Sequence, residues 1–104
     1  MRAYLAECFW PDVTEEKAAD LLGRACAAAE QLGREGHDVR ITESWLVPGD
    51  EVAFLFIDAA TIEEASAVGV RGNVPFERIV EVRRRGASGR DPGIRAVRSD
   101  RSRG

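Results

Sequence analysis

The sequence is poor in the side chains that most enzymes use for chemistry. Its 104 residues contain one histidine, His37, two cysteines, Cys8 and Cys26, and one tyrosine, Tyr4. Two cysteines do not make a disulfide scaffold, and their separation is not that of a metal finger, so the ordinary role of each is a buried thiol. No Ser/His/Asp arrangement stands out. The glycines at positions 33, 36, 69, 72, 86 and 89 form no Gly-x-Gly-x-x-Gly pattern between a strand and a helix, which leaves phosphate cradling unsupported. No apolar run approaches the ~20 residues needed to cross a bilayer. The first residues reach Glu7 before an apolar stretch of signal type can build. The expectation is a cytoplasmic protein with no membrane partner.

What is present fits one small domain, since 44% of the residues are hydrophobic and 32% are charged, too apolar a balance for disorder throughout. The charge is unevenly spread. Residues 86–104 carry five arginines (90, 95, 98, 101 and 103) against Asp91 and Asp100, leaving 10 basic and 16 acidic residues in positions 1–85. A body with that acidic excess repels polyanions, so nucleic acid is not an expected partner. The division is therefore a folded domain over 1–85 and a basic Gly/Arg-rich C-terminal tail over 86–104, whose composition predicts disorder.

Hydrophobic period gives the elements. Residues 2–10 mix aromatic and apolar side chains without helical spacing and stop at Pro11, which predicts a strand. Its two faces, Ala3, Leu5, Glu7, Phe9 and Tyr4, Ala6, Cys8, Trp10, are both largely apolar, the mark of a central strand. Thr14 followed by Glu15 and Glu16 reads as a helix start, and Ala18, Leu21, Leu22, Ala25, Ala29 and Leu32 recur at helical steps before Gly36. Val39, Ile41, Glu43, Trp45 and Val47 alternate with Arg40, Thr42, Ser44 and Leu46 as a second strand, with one face more buried. A turn at 48–50 leads into a third strand over 51–58, apolar on both faces. Thr61 opens a weaker helix that Gly69 and Gly72 disfavour, and residues 76–85 close with a last strand.

Strand, helix, strand, strand, helix, strand is the ferredoxin-like order: an α+β fold with two helices on one face of a four-stranded antiparallel sheet. Because the first and third strands are apolar on both faces, the uncovered side of the sheet would expose a large apolar patch in a monomer. Face-to-face association into a homodimer of the dimeric α/β barrel type is the simplest remedy. Such a dimer encloses a cavity suited to a small organic ligand.

The segments Tyr4 to Glu7, Pro11 to Thr14 and Val74 to Val82 resemble a family of small bacterial proteins of largely unknown function. Its characterised example is a nickel-binding protein from an actinomycete. The resemblance covers about residues 1–85 and implies a ferredoxin-like homodimer. Members that look like metal binders often carry Cys on the third strand or His on the second helix, whereas residues 52–58 and 66–70 here contain neither. Only Glu7 carries over. Nickel favours imidazole and thiolate ligands beside carboxylates.

Glu7 is the sharpest candidate, because a carboxylate centred in an apolar strand is costly to bury unless it is paired or used. It is the expected general acid or base, with Glu43 and Asp58 as neighbours that join it; the alternative is an ion pair with Arg40 or Arg78. Leu5, Phe9, Trp45, Phe54 and Phe56 are the expected ligand-binding residues, and Tyr4 and Trp10 are further aromatic candidates. His37 lies in a turn and the Arg83 to Arg85 run at a strand end, where solvation is the usual state. The expected function is a homodimeric small-molecule-binding protein, with cofactor-independent chemistry of the cyclase, isomerase or oxygenase type acting by proton transfer through Glu7. Two alternatives stand beside it: nickel held by Glu7 and Tyr4, with Cys8 as a third ligand, and a purely structural dimerisation module.

Overall fold

Among the described residues the elements run β1 (Arg2–Phe9), α1 (Glu15–Arg34), β2 (Arg40–Val47), a 3-10 turn (Pro48–Asp50), β3 (Val52–Ala59), α2 (Ile62–Gly72) and β4 (Arg78–Val82). These elements come from a computed structural model that describes residues 1–83 and 85. Arg84 and the basic tail assigned to 86–104 lie outside the described residues.

The four strands form one antiparallel sheet in the order β2-β3-β1-β4, so the two strands that are apolar on both faces are the two central ones. Alternation divides their side chains cleanly. Tyr4, Ala6 and Cys8 of β1 and Ala53, Leu55, Ile57 and Ala59 of β3 are buried against the helices. Leu21, Ala25, Ala28 and Leu32 of α1 and Ala65 and Val68 of α2 complete this single core. Full burial of side chains such as Leu55, Ile57 and Val68 contributes about 1.5–3 kcal/mol each. The α+β expectation and the βαββαβ order are those observed. Both helices lie on one side of the sheet, and the other side is left open.

The helices start and stop where local chemistry dictates. Thr14 Oγ1 accepts from the Lys17 N–H at 3.1 Å and Thr61 Oγ1 from the Glu64 N–H at 3.2 Å, each satisfying an N-terminal donor. At the end of α1, Gly36 adopts φ +97°, which lets the His37 N–H reach the Leu32 carbonyl at 3.0 Å and the Gly36 N–H reach that of Gly33 at 3.1 Å. Gly69 and Gly72 do not end α2 early, because close packing compensates for their poor helix propensity. A Cβ on Gly69 would lie 2.9 Å from the Phe76 ring, and one on Gly72 would lie 2.9 Å from the Arg24 carbonyl oxygen.

The second strand departs from simple alternation. Its register shifts between Ile41 and Glu43, so Ile41 pairs with the buried Ile57 while Glu43, Trp45 and Val47 pair with Phe56, Phe54 and Val52. A bulge at Thr42 inserts one residue, and everything beyond it changes face. The expectation that Ile41 shares a face with Glu43, Trp45 and Val47 is therefore corrected: Ile41 packs on the core, and the other three belong to the open side.

Candidate functional site

The open face is built from cross-strand rows. Register places Trp45, Phe54, Glu7 and Arg78 side by side across β2, β3, β1 and β4. The adjoining row is Glu43, Phe56, Leu5 and Val80, and Val47, Val52 and Phe9 lie beyond the first row on the other side. All five expected ligand-binding residues, Leu5, Phe9, Trp45, Phe54 and Phe56, thus share one surface with Glu7 and Glu43. Phe9 and Trp45 remain 51% and 56% exposed. The rings of Trp45 and Phe56 are tilted by 56° with centroids 6.0 Å apart, a favourable edge-to-face type of contact.

Glu7 is half-buried at the middle of this surface. Among the described residues no hydrogen bond or ion pair reaches its carboxylate. The expected ion-pair partners stand differently: Arg78 is its direct neighbour on β4, whereas Arg40 lies opposite Asp58 and approaches Asp38 at 4.0 Å. Glu43 is not a close partner for Glu7. Two strand spacings, roughly 10 Å, separate their strands laterally, and they sit in different rows, so sharing a proton within one chain is out of reach. The Glu43 carboxylate instead accepts the Trp45 indole N–H at 3.0 Å, which orients the ring. Asp58 occupies a third row with Ala3.

The set Glu7, Tyr4 and Cys8 does not converge. Tyr4 is 2% exposed and Cys8 fully buried within the core on the helix side, while Glu7 belongs to the opposite face. Odd and even positions of a strand point to opposite sides of a sheet, and no bulge intervenes between Tyr4 and Glu7 to reverse that. Burial pushes the Cys8 thiol up to about 11, and the negative charges of Glu77 and Glu7 add to the effect. A thiolate ligand is disfavoured there. Among the described residues no group of three or more His, Cys, Asp or Glu side chains is placed to hold a metal ion. Trp10 likewise packs against the core and takes no place on the open face.

His37 is remote from this surface and has a structural task. Its Nδ1 lies 2.7 Å from Glu64 Oε2, joining the end of α1 to the start of α2. The His37 hydrogen bond is the main reason the Glu64 carboxyl is held below its ordinary range. At the other end of α2, Arg71 donates to both oxygens of Glu35 at 2.8 and 2.6 Å. These bonds lower the Glu35 carboxyl and raise the Arg71 guanidinium. Both clamps connect residues far apart in sequence, and no local spacing announces them.

Sequence reasoning also missed a cleft on the helix side. A cavity of about 300 Å³ opens between Glu15, Ala18, Ala19 and Leu22 of α1 and Ser44 and Leu46 of β2. Its small alanines were legible as helix formers, but the gap they leave depends on how α1 crosses the sheet.

No family model and no curated protein matches the sequence. Among solved structures, the crystal structure of SCO4226 from Streptomyces coelicolor A3(2) is similar, with a TM-score of 0.69 at 13% identity. The match covers 81% of this chain and 99% of that one. At such low identity the likeness carries the fold alone. Among the described residues no helix is long and apolar enough to cross a membrane.

Proposed function

We propose that this chain works as a homodimer that binds a small organic molecule between the open sheet faces of its two copies. The supporting observation is the surface itself: four aromatic rings and several aliphatic side chains surround Glu7, whose carboxylate has no partner among the described residues. An uncovered apolar face of this extent is unfavourable in water, and covering it with a second copy follows the same physics as the helix side. Glu7 orients the ligand or exchanges a proton with it, which suits cofactor-independent chemistry such as isomerisation, cyclisation or oxygenation.

The resemblance to a family whose characterised example binds nickel supports a second reading, but its proposed ligands do not fit the ion. Tyr4 and Cys8 lie behind the sheet relative to Glu7, so the described chain provides one carboxylate and no imidazole or thiolate beside it. No step is assigned to a metal.

Native mass spectrometry of tag-free protein, compared with the mass after denaturation, tests the assignment. The expected result is a dimer carrying an additional mass of organic origin that Glu7→Gln diminishes. A mass excess matching nickel would replace the reading with metal binding. A bare dimer, with Glu7→Gln indifferent in every ligand screen, would leave a structural dimerisation module.

A further inference from the structure

The small-molecule reading leaves the chemical class of the ligand open, and the pairing of β1 with β4 narrows it. Glu7 and Arg78 are direct cross-strand neighbours on the open face, a position that sets their Cβ atoms ~5 Å apart. Several other opposite charges that the fold brings together among the described residues do pair. Arg2 with Glu81, Arg24 with Asp20, His37 with Glu64, Arg40 with Asp38 and Arg71 with Glu35 all form ion pairs. Among the described residues neither the Glu7 carboxylate nor the Arg78 guanidinium has such a partner. Glu7 is half-buried with Phe54 across from it and Leu5 and Phe9 along its own strand, and Arg78 lies exposed beside it on the edge strand β4, two residues from Val80.

Closing a second copy over this surface would strip water from both groups, and a desolvated charge without a partner is strongly unfavourable. Unless the two close on each other, whatever fills the enclosed space must answer both. A hydrocarbon answers neither. A cation suits Glu7 and is repelled by Arg78, and a simple anion suits Arg78 and is repelled by Glu7. A molecule with a carboxylate at one end and a hydroxyl or N–H donor at the other satisfies both, and the flat rings of Phe54, across the sheet from Glu7, and Phe9, two residues along β1, favour an aromatic body beside it.

Resting on the small-molecule reading above, we infer that the open face takes an aromatic carboxylic acid bearing a hydrogen-bond donor. Its carboxylate sits on Arg78 and its donor on Glu7. The guanidinium fork gives the acid group its orientation, and Glu7 is placed to accept the donor's proton.

Calorimetry on the tag-free dimer with 4-hydroxybenzoate, benzoate and phenol as probes tests this. The expected result is that 4-hydroxybenzoate binds at least about tenfold more tightly than either analogue, since each analogue leaves one charged group without its bond. Glu7→Leu should bring 4-hydroxybenzoate to the level of benzoate, and Arg78→Leu to the level of phenol, with sedimentation confirming that both variants stay dimeric. Equal affinities for all three probes, as when Glu7 and Arg78 close on each other, would overturn the ligand class while the cavity reading stands. No binding of any probe by a dimer that also retains no organic mass would overturn both.

Discussion

Two adjacent residues of β3 offer a direct test of what covers the open face. Leu55 points into the core and is fully buried, whereas Phe54 points to the other side and is half-buried in a single chain. Leu55→Ala removes a packed side chain on the helix side and should cost about 3–5 kcal/mol at any protein concentration. With a urea slope of about 1 kcal/mol/M for a domain of this size, the midpoint falls by roughly 3 M or more. If that leaves too little folded protein, Ile57→Val at the equally buried neighbouring site should cost about 1 kcal/mol. Phe54→Ala behaves differently under the two hypotheses. In an isolated chain it loses part of a half-exposed ring, about 1 kcal/mol. Beneath a second copy the ring is fully enclosed, and its loss costs about 3–5 kcal/mol per chain. Dimer stability also depends on mass action, so each tenfold dilution should lower wild-type stability by about 1.4 kcal/mol. The assay is urea unfolding followed by circular dichroism at 1 and 100 µM (about two decades of dilution, each shifting stability as just stated), with sedimentation on the same samples. A wild-type midpoint that does not move with concentration, together with a small Phe54→Ala effect, would refute coverage of this face by a second copy.

Further outcomes follow from particular contacts. Because the Cys8 thiol is pushed up to about 11 inside the core, native protein at pH 8 should consume one equivalent of a disulfide reagent, Cys26 forming the mixed disulfide and expelling one equivalent of the reagent's thiolate, and two equivalents in denaturant. Two fast equivalents in native protein would contradict the burial. Glu35 and Glu64 titrate below their ordinary value of 4.5 in the folded chain, so they contribute stability that is complete above that pH and lost as pH falls through their lowered folded values. Acid titration of thermal stability should therefore show a steeper decline below about pH 4.5 in wild type than in a Glu35→Gln, Glu64→Gln double variant, whereas equal slopes would remove both clamps from the account. Gly72→Ala would set a Cβ 2.9 Å from the Arg24 carbonyl, and this clash should outweigh the gain of about 1 kcal/mol in helix propensity, giving net destabilisation in thermal melts. An unchanged or raised melting temperature would show that the two helices can separate without cost.

Features that depend on neighbours in the chain were legible in the residues alone. Period-2 and period-3.6 patterns separated strands from helices, and threonines at 14 and 61 marked both helix starts because capping is a contact three residues long. Apolar residues on both faces of β1 and β3 identified the central strands, and the same alternation collected Leu5, Phe9, Phe54 and Phe56 with Glu7 on one surface. Elsewhere that rule failed for a physical reason. A single inserted residue at Thr42 turns the rest of β2 over, and no composition in residues 39–47 signals it. Within β1 the rule held: alternation already set Tyr4 and Cys8 on the face opposite Glu7, and both are buried in the core there. Which distant charges meet was set by the packing of the elements. It joined Arg71 to Glu35 and His37 to Glu64, and it placed Arg78 beside Glu7 through the pairing of the first strand with the last. Such contacts are set by the order of strands and the crossing of helices, which local propensity does not encode.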